Sequence, residues 1–235
     1  MSSTETIIVL DFGAQYNQLI ARRVRETSVY CRILPYNTPL DEIRRMSPKG
    51  IILTGGPASV YSDGAPRADA RIFDLGVPVL GICYGMQWGA FALGGDVRPS
   101  SGREYGRTKA RIVAPSPLTE GLPTEFTVWM SHGDAVNELP SDFVPLVATP
   151  SCPLAAMRHR SKPFYGVQFH PEVTHTEFGR EIFHNFLFRV CGCRGDWKME
   201  DFIEDAVAKI RAQVGSHSVV LGLSGGVDSS VLAVL

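Results

Sequence analysis

A cysteine flanked by glycines, Gly81-Ile82-Cys83-Tyr84-Gly85, stands where an apolar run ends and a helical pattern begins. G-x-C-x-G is the thiol counterpart of the G-x-S-x-G nucleophile elbow, whose glycines permit a tight strand-to-helix turn and keep neighbouring backbone off the nucleophile. A sulfur at a helix N-terminus also meets partial positive charge, which favours thiolate. An arbitrary free cysteine is ordinarily a small buried hydrophobe. The elbow singles out Cys83 among the five cysteines at 31, 83, 152, 191 and 193. Cys191-Gly192-Cys193 has no second ligand pair, so no metal site is expected.

A nucleophilic thiol needs a base, and Gln168-Phe169-His170-Pro171-Glu172 offers one. His170 would emerge at the carboxyl end of the strand-like run FYGVQF, on the same rim as Cys83. Pro171 keeps the chain extended, and residues two apart in an extended segment face one side. Glu172 can then hydrogen-bond the imidazole and stabilise its charged form, the orienting role in a triad. His159, His175, His184 and His217 lack that combination and read as structural or surface histidines. A tetrahedral intermediate also needs backbone donors. The Tyr84 N–H is one, and Gly56, in the turn Gly55-Gly56-Pro57, is the candidate for the other, although such a turn alone is a weak signal.

The elements that must position these groups follow from periodicity. TIIVL (6–10), VYCRILPY (29–36), GIILT (50–54) and VPVLGI (77–82) read as buried strands, with helices over 14–26, 40–46 and 84–95 between and after them. Alternating strands and helices predict a doubly wound, mostly parallel α/β sheet of flavodoxin-like type, with sites at the strands' carboxyl ends. The second half is richer in strands: 107–113, 125–130, 145–149, 154–159 and 164–169, before a helix over 177–192. SHGD (131–134) reads in isolation as a polar loop. A boundary at 192–197 divides the chain into predicted domains 1–193 and 194–235. Beyond it come a periodic helix over 199–214, a strand SVVLGL (218–223), a turn SGGVDSS (224–230) and the first turn of a helix. That truncated ending reads as a fragment, and the lone apolar strand is expected to be disordered or to aggregate.

Composition sets the outer limits. With 235 residues, 44% hydrophobic and 20% charged, the chain has material for one large core plus part of another domain. A net charge of −1 argues against nucleic acid as a partner. No apolar run reaches the ~18 residues of a membrane span, and the N-terminus lacks a signal-peptide pattern. Five scattered cysteines fit a reducing, cytoplasmic setting.

LTGGP (53–57), GICYGMQ (81–87) and VQFHPE (167–172), in that order, resemble the class I glutamine amidotransferases. DFGAQYNQLIARRVRE, Glu104-Tyr105-Gly106, SHGD and HPEVTHTEFG extend the resemblance to members that carry an ATP pyrophosphatase-type synthetase domain on the same polypeptide and aminate XMP to GMP. SGGVDSS is similar to the pyrophosphate loop of that second domain, which sets the chain apart from the amidotransferases of anthranilate, carbamoyl phosphate and CTP synthesis. The resemblance implies Cys83 as nucleophile, His170 as base and Glu172 as orienter. It further implies Gln87 and backbone groups of Ser131, Gly133 and Asp134 as holders of glutamine. At the phosphate loop it implies Ser224, Gly225, Gly226, Asp228, Ser229 and Ser230, whose small residues let backbone N–H groups approach phosphate at a helix start. No cofactor is expected for glutamine hydrolysis, while ATP, Mg2+ and XMP belong to the second step. A homodimer is entertained for the full-length protein. Two alternatives stay open: a gated or non-catalytic glutamine-binding module, and a cysteine hydrolase or chaperone-like protein sharing the elbow.

Overall fold

The computed structural model describes residues 5–234, excluding the side chains of residues 101–103, 200–202 and 205. The chain divides into two compact units, residues 1–195 and 196–235.

The first unit is built on a nine-stranded sheet of order β2-β1-β3-β4-β9-β8-β7-β5-β6. Strands β1 (Thr6–Asp11), β2 (Tyr30–Pro35), β3 (Gly50–Leu53), β4 (Val79–Ile82) and β9 (Phe164–Val167) pair in parallel. Strands β5 (Asp96–Ile112), β6 (Glu125–Glu138), β7 (Phe143–Ala148) and β8 (Ala156–His159) form an antiparallel extension that joins the parallel block through β8 and β9. The sheet is therefore mixed, its first half wound as expected and its second half folded back on itself.

Alternation along β1 shows why both faces must be covered. Ile7 and Val9 join one hydrophobic cluster and Ile8 and Leu10 the other, all fully buried. Helix α1 (Asn17–Arg25) brings Ile20 and Val24 to the first cluster, and α4 (Gly179–His184) brings Ile182 and Phe183. Helices α2 (Leu40–Arg45) and α3 (Tyr84–Ala92) cover the opposite face with Leu40, Ile43, Met86 and Trp88. The helix expected over 177–192 is α-helical only to His184. It then widens into a π-helical stretch, Asn185–Val190, that keeps Phe186 and Leu187 inward.

Two expectations are corrected. SHGD is not a loop but lies within β6, with His132 opposite Glu104 and Ser131 opposite Tyr105. SVVLGL is not a strand. The second unit contains helices α5 (Met199–Val214) and α6 (Val227–Val234), and among the described residues it offers no strand for SVVLGL to pair with. Its apolar side chains are left exposed, Val220 at 96%.

Candidate active site

The elbow between β4 and α3 is tight. Cys83 takes φ 51° and ψ −107°, a strained conformation for a residue with a side chain. Its N–H is anchored to the Val167 carbonyl at 2.8 Å, and the Gly85 N–H to the Thr54 carbonyl at 3.0 Å. The glycines are required by space. A Cβ at Gly81 would sit 2.6 Å from backbone atoms of Gly85 and Met86, and one at Gly85 would collide with the Leu53 carbonyl. The result is a sulfur projected beyond the carboxyl end of β4.

The histidine strand β9 lies beside β4 and parallel to it, so its carboxyl end arrives at the same rim. His170 Nδ1 is 2.7 Å from Glu172 Oε1, and the ring lines the same cavity as Cys83. Backbone contacts fix this segment: the His170 N–H donates to the Trp129 carbonyl at 3.0 Å, and the Thr176 hydroxyl donates to the His170 carbonyl at 2.7 Å. Arg23 Nε donates to the Glu172 carbonyl at 3.0 Å. Burial alone would depress the imidazole, but hydrogen bonds to Cys83 and Glu172, with their charges, outweigh it and lift His170 to about 10.

These groups line a cavity of about 870 Å³ together with Gly55, Gly56, Gln87, Ser131, Gly133 and Asp134. Gly56 approaches Phe12 so closely that a Cβ would lie 2.7 Å from the Phe12 carbonyl. Tyr84 opens α3, where the first N–H groups of a helix have no intrahelical acceptor. Its ring is buried beside Phe12 and its hydroxyl donates to the Pro66 carbonyl. Gln87, one turn further, donates from Nε2 to the Asp134 carbonyl at 2.7 Å and to Gln168 Oε1 at 3.3 Å. The Asp134 carboxylate accepts from Ser59 and from Tyr61, so it braces the loop after Gly56 against β6. Of the nine residues expected here on the first unit, eight line this cavity, and the ninth, Tyr84, follows Cys83 in the chain with its side chain turned away.

The six expected phosphate-loop residues lie in the second unit. Gly225 has φ 81°, a left-handed conformation, and precedes α6. The Ser229 and Ser230 hydroxyls donate to the Gly226 carbonyl at 3.1 and 2.8 Å, and Ser224 Oγ accepts from the Gly226 N–H at 3.3 Å.

Several site residues escape the sequence reading. Gln168, fully buried, points Nε2 at Cys83 Sγ, 3.6 Å away. The period-two rule that finds Glu172 from His170 finds Gln168 equally well. His132, in the cavity wall, forms a buried pair with Glu104 at 3.2 Å. With Cys152 they make a cluster of metal-ligating types, in which both Glu104 oxygens are already engaged. Glu104 accepts from His132, Thr149 and Ser151, while burial and the Glu104 charge push the Cys152 thiol up to about 12.

The class-I glutamine amidotransferase family matches residues 8–190, and the NAD synthase family matches residues 197–235. A glutamine-hydrolysing GMP synthase of Caldicellulosiruptor saccharolyticus is 59% identical over 98% of this chain, and that of Acetivibrio thermocellus 57% over 99%. The chain spans only 45% and 46% of those two relatives. Among solved structures, a protein of Thermoplasma acidophilum described as one subunit of a GMP synthase superposes with TM-score 0.73 at 31% identity, covering 87% of this chain and 100% of that one. A glutamine amidotransferase of Thermotoga maritima shares the fold with TM-score 0.62 at 19% identity, covering 90% of this chain and 86% of its own.

Proposed function

This chain belongs to the class-I glutamine amidotransferase family, and we propose that it hydrolyses glutamine to glutamate and ammonia with Cys83, His170 and Glu172. The observation that carries this reading is the buried His170–Glu172 pair, 2.7 Å apart, sharing the wall of one cavity with Cys83. His170 removes the thiol proton of Cys83 and leaves the sulfur as the attacking nucleophile. The sulfur attacks the side-chain carboxamide carbon, forming a C–S bond while the carbonyl oxygen becomes an oxyanion. Gly56 and Tyr84 N–H groups stabilise that charge. His170 passes its proton to the nitrogen, the C–N bond breaks and ammonia leaves. Water, deprotonated by His170, then cleaves the γ-glutamyl thioester to glutamate and frees the thiol.

Gln87 has both Nε2 hydrogens engaged, so its Oε1 is the group offered to the glutamine α-amino end. Backbone groups of Ser131, Gly133 and Asp134 complete that hold.

The proposal extends to a larger protein. Identity to GMP synthases and the NAD synthase match over 197–235 support a continuing synthetase domain, which would use ATP and Mg2+ to activate XMP and the ammonia to aminate it. Gly225, with its left-handed φ and open surroundings, fits a phosphate-approaching loop. Asp228, in the first turn of α6, would help hold a metal-bound phosphate there. We place the protein in the cytoplasm on the same reading, as a homodimer at full length.

Glutamate release from glutamine, measured beside Cys83→Ala and with or without a separately supplied synthetase portion loaded with ATP and XMP, tests the proposal. Activity lost by at least about a thousandfold in the variant is expected. Release only with the partner present makes the site gated. No release in either mixture, with the protein folded and the partner active on free ammonia, leaves a non-catalytic module.

A further inference from the structure

We propose that Gln168 is a further catalytic residue of this site, its carboxamide N–H held against the Cys83 sulfur as a fixed donor to the thiolate. The inference rests on Cys83 being the nucleophile.

The direction of the amide follows from an acceptor that cannot be reversed. The Asp134 carbonyl only accepts, so the Gln87 atom 2.7 Å from it is the NH2 nitrogen. That nitrogen's second hydrogen faces Gln168 at 3.3 Å, and the atom receiving it must be Oε1. Gln168 therefore presents Nε2 to Cys83 Sγ, at 3.6 Å. Flipping the Gln168 amide would set NH2 against NH2 at one end and an oxygen against the sulfur at the other. His132 Nδ1 reaches the same Asp134 carbonyl at 3.0 Å, which holds the head of the relay in place.

The surroundings give the contact weight. Gln168 has no solvent exposure, and its backbone N–H is tied to the Ala155 carbonyl at 2.8 Å. A buried carboxamide costs free energy unless its polar atoms are satisfied, and here the sulfur is one of the groups that satisfies them. As a thiol, Cys83 directs its hydrogen towards the Ser131 carbonyl at 3.8 Å. Once that proton has gone, the sulfur repels the Ser131 oxygen and needs donors. His170 supplies one and Gln168 the other. His170 must leave the sulfur to protonate ammonia, whereas Gln168 stays. Its N–H also holds the sulfur in place as the thioester forms and breaks.

The test compares Gln168→Met, which keeps volume without a donor, with Gln168→Glu, which keeps the acceptor for Gln87 and loses the donor. Alkylation of Cys83 by iodoacetamide at neutral pH, followed by peptide mass mapping, is read beside steady-state glutamine hydrolysis. A hydrogen bond to a charged group of this kind predicts at least about a tenfold slower alkylation in both variants. The same loss is expected in kcat, with KM for glutamine within about twofold. Wild-type alkylation in a folded Gln168→Glu protein, which lacks the N–H donor, overturns the proposal even if Gln168→Met does not fold. A wild-type Cys83 no more reactive than free cysteine would instead overturn the nucleophile reading, and this inference with it.

Discussion

Glu172 commits only one of its carboxylate oxygens to a hydrogen bond. Oε1 meets His170 at 2.7 Å, while Oε2 is buried with no hydrogen-bond partner. Leaving an acceptor dry is unfavourable, and its consequence is that the charge of Glu172 is spent on the imidazole rather than shared among donors. Glu172→Gln keeps the shape and removes that charge. The expected outcome is a fall in kcat of about a thousandfold in a protein that still folds, measured by glutamate release. Retention of more than about a tenth of wild-type kcat would dismiss the orienting role. The same pairing has a stability signature. His170 is raised from 6.5 to about 10 on folding, so its contribution is fully present below pH 6.5 and is lost as pH rises towards 10. Wild-type stability should therefore exceed that of His170→Gln most at pH 6 and converge on it by pH 10. A difference that stays constant across this window would contradict the charged imidazole. These residues were legible in sequence because elbow and strand-end motifs are local. The Glu104–His132 pair was not, since its members lie 28 residues apart and only β5–β6 pairing brings them opposite each other.

At the scale of elements, the site depends on how closely α3 can start behind β3 and β4. The close approach at Gly85 is to the backbone carbonyl of Leu53, which cannot swing away as a side-chain tip would. Gly85→Ala should cost about 2–3 kcal/mol of stability, read as a lowered denaturant midpoint with an unchanged slope. Because the displaced backbone carries Cys83, glutamine turnover should fall more steeply than the folded fraction. A stable, fully active Gly85→Ala would refute the tight elbow. Sequence exposed this element because glycine spacing reports close approach directly. It misjudged SHGD for the opposite reason: β6 carries Ser131, His132 and Asp134 into a strand whose pairing, not its hydrophobicity, holds it extended. SVVLGL failed the other way, since β propensity cannot make a strand without a partner to bond. The π-helical stretch after α4 left no mark at all, because the apolar spacing of Ile182, Phe183 and Phe186 is compatible with either helix.

For the whole molecule, the distribution of apolar surface separates what folds the chain from what does not. Both hydrophobic clusters are drawn from residues between Ile7 and Cys193. In the second unit Val219, Val220, Leu223, Val227 and Val234 are 63% or more exposed. Apolar surface of that kind drives self-association rather than stability. A protein ending at Gly195 should then melt within about 2 °C of the 235-residue chain, because no cluster residue has been removed. It should also remain monodisperse by light scattering at concentrations where the longer chain associates. Cys83 alkylation should proceed at the same rate in both, since the described residues that line the cavity with Cys83 belong to the first unit. A large drop in melting temperature would mean that residues 196–235 contribute to the fold of the amidotransferase unit. Equal melting with slower alkylation would instead make the second unit a modulator of the thiol, the behaviour required if glutamine hydrolysis is to wait for a loaded synthetase.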